Sequence, residues 1–300
     1  MTRHSSLSRA IEPFLRQMAA DGRTALSIRS YRRELLLLTR SLTDVSLARV
    51  TPDLLNSYLT SPAVQLMVDD TPKQASTVNR TKSVIRAFFR WCQQTGLIER
   101  NPAARVRLAL TVTPVTPHMT RAELARFLRM MRGSRHPLAP RDYALFTTLA
   151  HTGIRLSDVI RLRASDVDLF HRQLLLRRTK GGRCEPRHLP TRLRSILSLY
   201  IRSRSQRGAN NGAALFVTRD GRRLSPRGVQ YRFAFWLRRA RIQKLVSVHS
   251  LRHTFGTLLY QATRDLLLVS RALGHRDVKS TLRYAHLGDH ILAKAINRIW

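Results

Sequence analysis

Apolar residues recur at spacings of three and four from Ile11 to about Arg107. The clearest stretches are TALSIRSYRRELLLLTRSL (24–42) and STVNRTKSVIRAFFRWCQQTGLI (76–98). That period is the one an amphipathic helix needs to bury a single stripe. An all-helical first domain over residues 1–107 is therefore expected. Gly96 sits where the second stretch ends and suits a helix C-terminus, and Asn101-Pro102 blocks any continuation.

The pattern then lapses. From Leu108 to Met119 the chain carries no Asp, Glu, Lys or Arg and includes Pro114 and Pro117, which reads as an extended linker over 108–118. Thr120 followed by Glu123 has the spacing of a capping box, opening a second domain over 119–300 with a helix. Helical spacing returns around 141–163. Between Asp168 and Pro190 the segments RQLLLRR and CEPRHLP flank TKGGR, which predicts two short strands joined by a glycine-containing turn with Lys180 on it. Helical character resumes from there to Trp300, without internal repeats. The fold class expected is multidomain: an all-α N-terminal domain, then a mainly α, mixed α/β domain with a small antiparallel sheet.

Charge changes the picture from architecture to partner. The chain holds 54 Lys and Arg against 18 Asp and Glu, a net +36 over 300 residues. Such a field attracts polyanions and opposes self-association. Residues 1–110 carry 17 basic against 8 acidic side chains, and residues 111–300 carry 37 against 10, so the second domain is expected to be the main phosphate-binding body. The basic residues lie within periodic, apolar sequence and not in one tail, which favours nucleic acid over a membrane surface. Cys92 and Cys184 stand far apart without metal-ligand spacing, so neither a disulfide framework nor a zinc site is expected. The N-terminus lacks an apolar signal core and the aliphatic runs are short. The expectation is a cytoplasmic, nucleoid-associated protein with no membrane partner.

Three separated clusters hold the candidate chemistry: HTGIRLSDVIRL (151–162), VHSLRHTFGTLL (248–259) and LGHRDVKSTLRYAH (273–286). With Lys180 they supply arginines, a lysine, histidines and a tyrosine, and no carboxylate cage. No metal or other cofactor is called for. A phosphodiester in transit bears charge on its non-bridging oxygens, which planar, permanently charged guanidinium groups such as those of Arg155 and Arg252 can clamp. A tyrosine hydroxyl can attack phosphorus and conserve the bond energy as a phosphotyrosine, so Tyr284 is the candidate nucleophile. The departing sugar oxygen needs a proton, which a lysine or a neighbouring histidine can give.

These boxes, in this order, resemble the phage-integrase family of tyrosine recombinases, closely over 118–300 and more loosely over 11–107. The resemblance implies a helical, SAM-like core-binding domain followed by a catalytic domain of the DNA breaking-rejoining enzyme fold. By position, Arg155 and Arg252 resemble the two phosphate-clamping arginines and Lys180 the general acid on the hairpin. His249 resembles the histidine of the HxxR pair, His275 the second histidine, and Tyr284 the nucleophile. Asp158 fills a place where the family more often has Glu, with an orienting role expected from its spacing after Arg155 on one helix face. The family further implies a 3'-phosphotyrosyl intermediate and double-stranded recombination sites held by a homotetramer or heterotetramer. An apolar stripe of Ile291, Leu292, Ala295, Ile296 and Ile299 suits a short terminal helix, and the resemblance implies that such a helix docks into the next protomer. The length resembles Xer-type and transposon or plasmid recombinases, and the extreme charge leans towards a mobile element.

Taken singly, each residue has a plainer reading. Arg155 resembles any surface arginine, Lys180 a solvated turn residue, and Tyr284 is one of seven tyrosines. His249 and His253 share a helix face, but Arg252 between them opposes a metal ion, and His253 is expected to pack beneath the site. The conjunction of boxes is what points to an enzyme. Rival functions are a type IB topoisomerase-like enzyme, which relaxes one duplex without exchanging partners, and a catalytically inactive DNA-binding relative.

Overall fold

The computed structural model describes residues 6–111, 117–177, 184–205 and 214–274. The chain forms two compact units, Met1–Thr113 and Pro114–Trp300.

In the first unit α1 (Leu7–Ala20), α2 (Ala25–Ser41), α3 (Pro52–Thr60), α4 (Pro62–Gln65) and α5 (Ala75–Gln94) follow one another. Hydroxyl side chains start three of them: Ser6, Thr24 and Thr51 each accept a hydrogen bond from a backbone N–H in the first turn. The three-four spacing on α1 buries Leu7, Ile11, Phe14, Leu15 and Met18, and α5 buries Ile85, Phe88, Phe89 and Cys92 against them. Phe14 meets Phe88 edge-on and tilts against Trp91, with ring centroids 5.4 Å apart in both pairs. One polar pair crosses this core: Thr81 Oγ1 donates to the buried Glu34 carboxylate at 2.9 Å, joining α5 to α2. Gly96, at φ +72, turns the chain away after α5.

The unit includes the start of the expected linker. Asn79 on α5 exchanges two hydrogen bonds with Ala109, donating through Nδ2 to its carbonyl and accepting from its N–H, each 2.8 Å. Residues 112–116 of that linker lie outside the described residues.

The second unit opens on α6 (Arg121–Arg132). Thr120 and Glu123 form the capping box that their spacing predicts: Glu123 N–H donates to Thr120 Oγ1 at 3.1 Å and Thr120 N–H to the Glu123 carboxylate at 2.7 Å. Next come α7 (Ala139–Thr152), buried on nearly every side, and the short α8 (Leu156–Arg161). A three-stranded antiparallel sheet follows, in the order β1 (Val167–Asp168), β2 (Gln173–Arg177), β3 (Cys184–His188). Leu174 and Leu176 point inward from β2, and Pro186 is tolerated because β3 is an edge strand. The turn between β2 and β3, residues 178–183 with Lys180, lies outside the described residues.

Helices α9 (Thr191–Ser205), α10 (Pro226–Arg239), α11 (Val248–Thr263) and α12 (Leu266–Leu273) complete the described part. Phe127, Phe146 and Phe233 join α6, α7 and α10 in the core, with centroids 5.1 to 5.6 Å apart. Beneath them Asp142 is wholly inaccessible. Its carboxylate accepts from Arg141 Nε and Nη2, from Arg232 Nε and from Trp236 Nε1, all within 2.7 to 3.0 Å, so two cations and an indole balance one buried charge. Among the described residues no helix is long and apolar enough to cross a membrane.

Candidate active site

The first box straddles the end of α7. Gly153 terminates that helix in the left-handed conformation at φ +62, and its N–H donates to Leu149 O. A Cβ there would stand 2.4 Å from Phe255 Cδ1 and 2.9 Å from Leu273 Cδ2. Only glycine satisfies both the backbone angle and the close approach of α11 and α12. Two residues later Arg155 is the exposed N-cap of α8.

The second box forms the first turns of α11. His249 is exposed near its start, whereas Arg252 and His253 are each 5% exposed. The rings of His249 and His253 meet edge to face with centroids 4.7 Å apart, and His253 packs under the helix start as its spacing suggests. Arg252 reaches across the unit: Nη1 donates to Gly153 O at 2.6 Å and Nη2 to Leu273 O at 2.7 Å. One buried guanidinium thus ties the first box to the chain that leads into the third. Its two carbonyl partners lie two residues before Arg155 and two residues before His275.

The hairpin stem is fixed separately. Arg177, the last residue of β2, donates from Nε to the buried Asp166 at 2.6 Å, and Asp166 also accepts from Arg163 N–H at 2.9 Å. Arg187 on β3 donates to Arg271 O at 3.4 Å, linking the sheet to α12.

Asp158 lies in the first turn of α8, three residues after the N-cap Arg155, and its carboxylate accepts from Arg161 Nη2 at 2.8 Å. Of the six residues carried by the boxes and the hairpin, Arg155, His249 and Arg252 are brought into one region of the unit, and Lys180, His275 and Tyr284 lie outside the described residues. In the sequence Gly153 stands inside the first box, and its signal is a glycine directly after a helical run, the usual mark of a C-cap. Asp166 gave no signal, since its role depends on burial.

Beside these residues runs an apolar groove of about 580 Å³. Leu124, Leu128, Phe255, Leu258 and Leu259 line it, and His151 lies in its wall. Burial, with a smaller contribution from the Arg192 charge, holds the His151 imidazole below its ordinary pKa.

Comparisons with known proteins bear on the family and the fold. Residues 117–290 match the model of the phage integrase family, and residues 11–96 that of the phage integrase N-terminal SAM-like domain. The tyrosine recombinase XerC of Neisseria meningitidis serogroup C is 30% identical over 284 residues, covering 93% of this chain and 92% of its own. XerC of Proteus mirabilis is 26% identical over 295 residues, covering 96% and 92%. Among solved structures, XerH bound to a palindromic difH substrate in a post-cleavage complex superposes with a TM-score of 0.75 at 20% identity, covering 97% of this chain and 84% of that one. The Tn1549 transposon integrase in complex with a circular intermediate DNA gives 0.74 at 19% identity, covering 97% and 99%. The all-α first unit and the mixed second unit with its small antiparallel sheet have the architecture of these enzymes. The chain belongs to the phage integrase family of tyrosine recombinases, enzymes that exchange DNA strands at specific sites through a phosphotyrosyl intermediate.

Proposed function

We propose that the second unit cleaves DNA with Tyr284 as nucleophile and that Arg155, Lys180, His249, Arg252 and His275 serve the same phosphate. The Tyr284 oxygen attacks phosphorus, the 5'-oxygen of the next nucleotide departs, and a 3'-phosphotyrosyl bond is left. Lys180 on the hairpin protonates the leaving oxygen, with His249 and His275 placed by the boxes as its neighbours. Arg155 and Arg252 balance charge on the non-bridging oxygens. A 5'-hydroxyl from the partner duplex then reverses the step, which completes exchange without an external energy source.

The observation that carries this reading is the Arg252 bridge. It ties the end of α7, two residues before Arg155, and the end of α12 to the first turns of α11. Tetrameric synapsis of two duplex sites is the assembly proposed, the first unit serving as core-binding domain and the second as catalytic domain. Its groove offers an apolar surface to the stripe Ile291 to Ile299 of a neighbouring copy. A nicked suicide substrate bearing the native site tests the chemistry. The wild-type chain should accumulate a covalent protein–DNA adduct and Tyr284→Phe none; an adduct that persists in the variant overturns the assignment. Exchange between two sites, measured beside relaxation of one supercoiled circle, separates a recombinase from a topoisomerase-like activity.

A further inference from the structure

The first unit carries a cleft that the reaction chemistry does not explain. After α5 the chain doubles back along it. Val106 is buried as a peg while Arg105 and Arg107 on either side are exposed. Two residues of α5 hold this strap by polar bonds alone. Asn79 exchanges both its amide hydrogen bonds with Ala109 at 2.8 Å, and Lys82 Nζ donates to Arg107 O at 3.2 Å. Between strap and helix lies an open cleft of about 740 Å³ lined by Arg86, Arg105, Arg107 and the small apolar residues beside them. Arg86 is seven residues beyond Asn79 and so on the same face of α5. Among the described residues none of the three arginines is ion-paired. Three like charges held around one cavity repel, and a structure that fixes them there gains when an anion enters.

We infer that this cleft grips a DNA backbone phosphate through Arg86, Arg105 and Arg107, and that Asn79 is the positioning residue that latches the strap to make the grip. The Asn79 amide is fully used on the Ala109 peptide, so it orients the strap and leaves the phosphate to the arginines. A phosphodiester is the ligand that this lining suits, because its only polar side chains are three cations around one cleft and a backbone phosphate carries the charge that balances them. The inference rests on the reading of this chain as a DNA-binding recombinase, which the wild-type protein tests by itself.

The experiment is fluorescence-anisotropy binding of the full chain to a labelled mixed-sequence duplex over a series of salt concentrations. Wild type should show a steep fall of log K with log salt, and a shallow one would sink the DNA-binding reading. Each phosphate that the protein no longer neutralises should reduce that slope by about 0.9. Arg105→Ala/Arg107→Ala is expected to flatten it by roughly one phosphate's worth, while Arg16→Ala, on the exposed face of α1, leaves it close to wild type. Asn79→Ala should match the arginine pair, and combining the three substitutions should add nothing, because latch and grip then act as one unit. Circular dichroism melts confirm that the Asn79→Ala chain is folded, and Asn79→Ser serves if it is not. The grip is overturned if the arginine pair behaves like Arg16→Ala. The latch is overturned if the Asn79 variant keeps the full slope or if its effect simply adds to that of the arginines.

Discussion

Arg252 has two duties. Its guanidinium belongs to the proposed phosphate clamp, and it also satisfies carbonyls from two other elements. A lysine in its place keeps the charge but presents one compact ammonium where a planar fork spans two acceptors. Arg252→Lys should therefore abolish strand cleavage and also leave a buried carbonyl without a donor, a loss of about 1–3 kcal/mol. Denaturant unfolding of the variant measures the second effect, and suicide-substrate cleavage the first; an unchanged midpoint would mean that the bridge contributes nothing. Gly153→Ala tests the other side of the same bridge. With φ at +62 and a Cβ driven into Phe255, it should destabilise by at least about 1–3 kcal/mol and reduce cleavage because α8 and Arg155 shift. The residues proposed for the site stood out in the sequence by their types and by boxes that resemble those of a family. The bridge did not, since Arg252 and Gly153 lie 99 residues apart and a carbonyl acceptor carries no side-chain signature.

At the scale of elements, local signals proved readable and buried polar ones did not. The Thr120–Glu123 capping box, the Gly96 turn and the paired strands around Lys180 all follow from short-range spacing. Asp142, by contrast, sits in the first turn of α7, where any helix favours an acid. Nothing in PRDYALF announces that it lies at the centre of four hydrogen bonds from α7 and α10. Asp142→Ala strands two arginines in the core and should cost about 3–5 kcal/mol, read as a lowered urea midpoint; a neutral result would show that Arg141 and Arg232 find other partners. His151, also on α7, adds a pH dependence. Its folded pKa is below the unfolded value of roughly 6.5, so as pH falls the unfolded chain takes up the proton first. Its contribution to stability is whole above that value and is lost as pH drops below it. His151→Gln should narrow the difference in urea midpoint between about pH 7.5 and about pH 5.5; the same difference as wild type would remove His151 as a cause.

For the whole molecule the governing quantity is charge. At +36, copies of the chain repel one another in free solution. In the proposed synaptic assembly DNA neutralises that charge and apolar packing specifies the partner. The groove of the second unit, lined by leucines from α6 and α11 and by arginines, is the surface proposed for that packing. The stripe from Ile291 to Ile299 lies outside the described residues, but its apolar spacing suits that lining. Deleting 288–300 should therefore abolish two-site synaptic complexes while single-site complexes persist, as read in native gels. Leu128→Glu, which puts a carboxylate on the groove wall, should reproduce the synaptic defect with the tail intact. The pair of variants separates two explanations that deletion alone confuses. If both lose synapsis and keep single-site binding, tail and groove belong to one interface between copies. If the deletion weakens both kinds of complex equally, the tail serves DNA binding or folding, and the apolar stripe has been given the wrong partner. If only Leu128→Glu fails, the groove receives some other segment of the neighbouring chain, and docking by the tail is excluded.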